Sequence, residues 1–152
     1  MQPGTVLGFD VGSKVVGVAI ASAFSDGARE LAVLEVGAGG LDWSRLQALV
    51  AEWQPRALVV GDPLQLDPAA PDQPARRRAR AFARQARQRT GLPVYLVDER
   101  HSSQEAARRF AAGRAGGVRR RRDAARIDAV AAAVILERWL MQPDTATEVD
   151  AP

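Results

Sequence analysis

Several short stretches of this chain carry carboxylates where a carboxylate is expensive. In "VLGFDVGSKVVGVAI", residues 6–20, Asp10 interrupts a run that otherwise reads as buried strand. Aspartate is depleted in strands, and an unpaired buried carboxylate is costly. Strand alternation puts Leu7, Phe9 and Val11 on one face and Val6, Gly8, Asp10 and Gly12 on the other. Asp10 thus shares its face with small residues, and glycines let a backbone or ligand approach closely. Asp98 and Glu99 end the strand "VYLV" on opposite faces, so only one of them can serve a given site. Ligands of open α/β sheets bind outside such strand ends. Asp128 lies on a helical row with Ala132, Ile135 and Trp139 in "IDAVAAAVIL", a helix apolar nearly all round and therefore expected to be buried.

Each acid alone has an ordinary explanation, an arginine partner or a turn to cap. Together they have a chemical one. Clustered carboxylates repel unless cations neutralise them, and hard oxygen ligands suit Mg²⁺ or Mn²⁺. Two such ions roughly 4 Å apart hold an attacking water and a leaving phosphate oxygen in line. The composite points to a nuclease built on Asp10, a strand-end acid and Asp128.

The basic residues agree in sign. Twenty are arginine and one is lysine, Lys14. The net charge is +3, but three acids fall in the last nine residues, leaving +6 on residues 1–143. Arginine favours bidentate phosphate contacts, and clustered arginines are the electrostatic footprint of nucleic-acid binding. On a helix over 75–89, Arg76, Arg80, Arg84 and Arg87 fall within about 80°, opposite Ala79, Phe82, Ala83 and Ala86. Arg119, Arg120, Arg121 and Arg122 end a basic loop just before the Asp128 helix, where they could clamp a phosphodiester backbone. For either cluster a solvated face is the plain alternative. Neither is interleaved with aromatics, which argues against base stacking; Trp43, Trp53 and Trp139 sit at helical core spacing.

The elements that must position these residues follow from periodicity. Strands are expected over 5–12, 14–22 and about 30–36, the first two joined at Gly12–Ser13, completing an antiparallel meander. A helix over 41–53 carries Leu46, Leu49, Val50 and Trp53 at helical spacing. "RALVVGDP" and "PVYLVDE" suit buried parallel strands. The proline-rich stretch between 62 and 74 is irregular. Ser102 and Glu105 have capping-box spacing and start a helix to about residue 112. A last helix spans 123–141. Together these give an α/β fold: a mixed five-stranded sheet, three antiparallel then two parallel strands, flanked by helices. Residues 1–141 form one domain, and 142–152 read as a disordered tail. Apolar residues make up 47%, enough to bury a core at this length. No apolar run approaches a membrane span, and the start lacks signal-peptide character. The chain has no cysteine, which excludes disulfides and thiolate metal sites. A soluble cytoplasmic protein is the expectation.

"LGFDVGSKVVGVAI", "VVGDPLQLD", "VDERHSSQEA" and "RIDAVAAAVILERWL", in that order across residues 5–141, resemble the YqgF/RuvX family. The resemblance implies a ribonuclease H-like fold related to the junction resolvase RuvC. Members are described as Holliday junction resolvases or as nucleases maturing the 5′ end of pre-16S rRNA. It also implies that the catalytic, metal-binding acids are Asp10, Glu99 and Asp128; spacing alone left Asp98 and Glu99 open. The chain departs from the family pattern at Ser13 and Val15, which flank the retained Lys14, a phosphate contact or an ordinary turn residue. It departs also at Asp62, either a fourth ligand, where related nucleases can carry an acid, or a loop cap, at Gln65, and at His101, either a proton shuttle or an exposed helix-start residue. The implied substrate is pre-rRNA or branched DNA, with no membrane partner; junction resolution would require a homodimer. A non-catalytic RNA-binding ribosome-assembly factor is the alternative. An actin-like kinase would need a second domain that this chain lacks.

Overall fold

Two faces are written into the first strand, and the rest of the molecule packs on one or the other. The structure is a computed structural model and describes residues 4–22, 27–63, 73–98, 121–141 (121–128 by backbone only) and 146–149. β1 (Val6–Val11), β2 (Val15–Ala21) and β3 (Ala28–Gly37) form an antiparallel meander. Its first turn is tight: Gly12 N–H donates to the Val15 carbonyl at 2.9 Å. A Cβ on Gly12 would lie 2.7 Å from that same oxygen, so glycine is required there. β4 (Gly40–Leu41) folds back on the end of β3. Gly40 makes this possible with φ +103°, a conformation that side-chain-bearing residues rarely adopt.

α1 (Trp43–Trp53) then starts at Asp42, whose carboxylate accepts the Ser44 N–H at 3.1 Å as an N-cap. Burial, α1 and an αL residue at Gln54 lead into β5 (Ala57–Asp62), parallel to β1 and buried at every position. α2 (Pro74–Thr90) follows, with proline in its first turn and Gly91 (φ 71°) as its cap, the expected asymmetry of helix ends. β6 (Val94–Asp98) pairs parallel to β5. α3 (Arg121–Met141) crosses the opposite face, and β7 (Thr147–Glu148) closes the sheet antiparallel to β6.

The sheet order is β4-β3-β2-β1-β5-β6-β7. The expected meander and parallel pair are present as β1, β2, β3, β5 and β6, but the sheet has seven strands rather than five. The two additional strands have two residues each, too short for alternation to show in a sequence. β7 lies within the segment read as a disordered tail. Val149 N–H donates to the Val94 carbonyl at 2.8 Å, and Val149 packs on the core. Leu41 belongs to β4, not to the helix expected from 41. Arg121 and Arg122 are in the first turn of α3, not in a loop. The helix expected over 102–112 lies outside the described residues.

Leu7, Phe9, Val18, Leu58, Val60, Leu46 and Phe82 fill the layer between the sheet and α1–α2. Val6, Ala19, Val59, Val97, Ala132, Ile135 and Leu136 fill the layer beneath α3. Each large side chain buried this way contributes about 1.5–3 kcal/mol. The alanines let α3 lie close. At Gly8 the approach is closest, because a Cβ there would overlap Leu136 Cγ. Among the described residues no helix is long and apolar enough to cross a membrane.

Candidate functional site

Parity along the strands decides which acids can meet. Asp10 shares the α3 face with Val6 and Gly8, as alternation required. It is 9% exposed, and its neighbour across β2 is Gly17, which leaves space beside the carboxylate. α3 crosses the strands on this face, touching β3, β2, β1, β5 and β6. Leu136 sits over Gly8, while Trp139 lies with Val6 and Ala57 at the other end, under the Arg56 guanidinium at 5.6 Å. At 1.5 Å per residue, position 128 lies about 12 Å up the helix axis from Leu136. Asp10 lies about 7 Å up the strand from Gly8. Asp10 and the backbone of position 128 thus lie on one face of the sheet. Asp128 continues the row of Ala132, Ile135 and Trp139, all buried; its side chain lies outside those described.

Asp62 and Asp98 lie on the other face. They are paired in register at the ends of β5 and β6. By alternation Asp62 continues Leu58 and Val60, and Asp98 continues Val94, all three members of the α1–α2 layer. Asp62, 6% exposed, faces α2. Its Oδ1 lies 3.3 Å from Arg76 Nε, and its Oδ2 lies 3.8 Å from Arg80 Nε. The Arg76 contact has ion-pair distance without hydrogen-bond geometry, since both atoms lack a hydrogen-bond partner. We read it as charge compensation of a buried carboxylate. The alternation of β5 thus places Asp62 on the face opposite Asp10. Asp98 contributes its backbone, accepting from Arg138 Nη1 at 2.8 Å and so tying α3 to the end of β6. Glu99, His101, Gln65, Arg119 and Arg120 lie outside the described residues.

The arginine stripe of α2 divides. Arg76 and Arg80 are turned to Asp62. Arg87 Nη1 donates to the Gly91 carbonyl at 2.9 Å, capping its own helix, and Arg84 is exposed. The core-facing side is Ala79, Phe82, Ala83 and Ala86, as the wheel placed it. Lys14 is exposed at the β1–β2 turn. Periodicity passed over a different pair. Arg78 and Arg89, off the stripe, line a groove with Trp43 and Phe82. Only the packing of α1 against α2 brings those four together, so no sequence spacing could have found them.

The sequence model of the RuvX family, described as "Holliday junction resolvase", matches residues 4–142. The chain belongs to the RuvX family. A relative from Xanthomonas axonopodis pv. citri (strain 306), named "Putative pre-16S rRNA nuclease", is 62% identical over 144 residues, covering 95% of this chain and 92% of that protein. One of the same name from Xanthomonas campestris pv. campestris (strain B100) is 60% identical over 143 residues, covering 94% and 91%. Among solved structures, Thermus thermophilus RuvC is similar with a TM-score of 0.57 at 18% identity, covering 95% of this chain and 99% of that one. The same protein bound to a Holliday junction substrate gives 0.57 and 18%, covering 96% and 99%. At that identity the likeness concerns the fold, which is RuvC-like.

Within this RuvX chain the described carboxylates can be tested for metal binding. Asp10 has the properties of a hard oxygen ligand: it is a buried acid, among small residues, at a strand end. Among the described residues no three His, Cys, Asp or Glu side chains gather as a metal site, and Glu99 and the Asp128 side chain stand outside that set.

Proposed function

We propose that this RuvX chain is a divalent-metal-dependent nuclease that hydrolyses phosphodiester bonds of structured nucleic acid, processing the 5′ end of pre-16S rRNA. The observation that carries the proposal is the placement of Asp10. It is a buried acid at a strand end on the face that α3 covers, while Asp62 and Asp98 lie on the other face. The relatives' name supports the RNA substrate.

Asp10, Glu99 and Asp128 would hold Mg²⁺ or Mn²⁺, and such ions supply an ionised water as nucleophile and stabilise charge on the leaving oxygen. The chain's own part is to fix its ligands. Asp10 pairs with Gly17 of β2, one residue past the last β5-paired position, Phe9, which fixes its backbone at the strand end. α3 is seated against Gly8, which sets the height of position 128 over the strand. Lys14, three residues beyond Val11, the last paired position of β1, offers an exposed cation to a substrate phosphate. Cleavage of four-way DNA junctions is the second reading, favoured by the family description and by the RuvC–junction complex of like fold.

The test is a cleavage assay with purified protein and Mn²⁺, offering precursor rRNA leader and four-way DNA junction side by side. Asp10→Asn and Asp128→Asn serve as controls. Cleavage of the leader, lost on the order of 10³-fold in both variants as for removal of a transition-state group, is the result expected. Cleavage of the junction alone favours the second reading. Cleavage of neither, with cellular function surviving Asp10→Asn, would leave a non-catalytic assembly factor.

A further inference from the structure

On the sheet face opposite Asp10, α2 and the β3–β4 hairpin enclose a groove of about 390 Å³. Its floor is aromatic, with the Trp43 and Phe82 rings stacked at 5.4 Å and 19°. Its charged lining is Arg78 and Arg89, without a carboxylate. The Arg89 guanidinium lies 4.8 Å from the Trp43 ring centroid. Stacking of this kind orients a guanidinium while leaving its N–H edge free to bind. Among the described residues neither arginine is ion-paired. A second hollow of about 450 Å³ adjoins the first, sharing Val36 and Gly40, and is lined by Lys14 and Arg45 with Glu35 and Asp42. Of those two acids, Asp42 is engaged in capping α1. The two hollows make one trough running from α2 over the hairpin to Lys14.

We infer that this trough carries a single-stranded segment of the nucleic-acid substrate, with phosphates on Arg78, Arg89 and Lys14. The inference rests on the nuclease reading and names the part of the substrate that the reading leaves open. Charge argues for a phosphate backbone rather than an acidic protein patch of no fixed spacing, because Arg78 and Arg89 stand over the aromatic floor of the first hollow without a carboxylate, and Lys14 stands at the far end of the second. Size argues for a single strand, since a hollow at the low end of the 300–1,000 Å³ range for small-molecule sites admits a nucleotide and not a duplex. A cationic groove with aromatics is how single strands are held without sequence preference. Val11 and Gly12, the residues just past Asp10, also line the trough. A strand leaving the Asp10 edge therefore needs only to round the β1–β2 turn to enter it. Sequence spacing kept the arginines and aromatics apart; the α1–α2 contact interleaves them.

The test measures binding apart from cleavage. Asp10→Asn protein, without divalent ions, is titrated against a fluorescein-labelled 12-nucleotide oligouridylate by anisotropy over a series of KCl concentrations. Adding Arg78→Ala and Arg89→Ala should weaken binding about tenfold or more. It should also make the log K against log[salt] slope shallower by about 1.4, two phosphates at about 0.7 each for single strands. Gly39→Leu keeps every charge and places a side chain in open space at a residue with no positive φ; by plugging the trough it should weaken binding with an unchanged melting temperature. Parent-like affinity and slope in both variants overturn the inference. So does a change in oligomeric mass by light scattering in place of a change in RNA binding, which would make a second copy the occupant. Cleavage by the wild-type protein is scored separately. Loss of RNA binding in the trough variants with no cleavage by the wild type would retain the trough and remove the nuclease reading.

Discussion

Gly8→Ala tests whether the seating of α3 on β1 sets the catalytic geometry. The added Cβ would overlap Leu136 Cγ and lie 3.0 Å from each of its δ carbons, against an optimal carbon–carbon separation of about 3.5–4.0 Å. Leu136 is fully buried, so it has no free space to rotate into, and α3 must lift by something on the order of 1 Å. Overpacking of this kind costs about 1–3 kcal/mol. At about 2–4 °C per kcal/mol for a chain of this length, the melting temperature should fall by about 2–12 °C. The effect on chemistry should be larger than the effect on folding. Position 128 rides on the same helix, and a 1 Å misplacement can cost about 10²-fold in rate. Single-turnover cleavage at saturating protein and 25 °C, well below the melting transition, should therefore slow by one to two orders of magnitude, a range of about 10–10². Leu136→Ala removes the isopropyl group that blocks the new methyl. It costs about 2–5 kcal/mol alone, yet the double variant should be more stable than the summed losses by about 1 kcal/mol or more. A Gly8→Ala protein that melts within about a degree of wild type and cleaves at the wild-type rate would refute the argument.

The remaining predictions concern the other carboxylates. Millimolar Mn²⁺ should raise the melting temperature of the wild type and not of Asp10→Asn, since an ion at 100 times its Kd stabilises the folded state by about 2.7 kcal/mol; equal shifts in both proteins would remove Asp10 from the metal site. Asp62→Asn should keep cleavage within a few-fold of wild type while losing about 1–2 kcal/mol in urea unfolding. That is less than the loss from breaking a fully buried pair, because Arg80 is well exposed; loss of cleavage would restore Asp62 as a ligand. Asp42 is held below its ordinary 3.8, first by the Ser44 hydroxyl and then by neighbouring backbone N–H groups. A depressed carboxylate stabilises the fold above its unfolded pKa, and the contribution vanishes as pH falls through the folded one. The melting deficit of Asp42→Ala should thus be full at neutral pH and shrink below about pH 3.8; a deficit independent of pH would contradict the cap.

What the sequence determined by itself is everything encoded in local period and composition. Alternation in "VLGFDV" put Asp10 on the small-residue face, and the α2 wheel separated Ala79, Phe82, Ala83 and Ala86 from the arginines, because a side chain's direction relative to its own backbone is a local property. Four ordered motifs likewise identified the family. What the tertiary structure decided is which local faces meet. The face that Asp62 takes follows from β5 pairing beside β1 with Leu58, Val60 and Asp62 all turned to α2. That Arg76 and Arg80 lie within ion-pair distance of that buried carboxylate is likewise decided by the packing of α2 on β5. Arg78, Arg89, Trp43 and Phe82 are scattered over two helices and become one groove only when those helices pack. The short strands β4 and β7 exist because edges of the sheet were available to pair with. In each case the deciding quantity is a contact between segments distant in the chain, and such a contact has no period for a sequence to display.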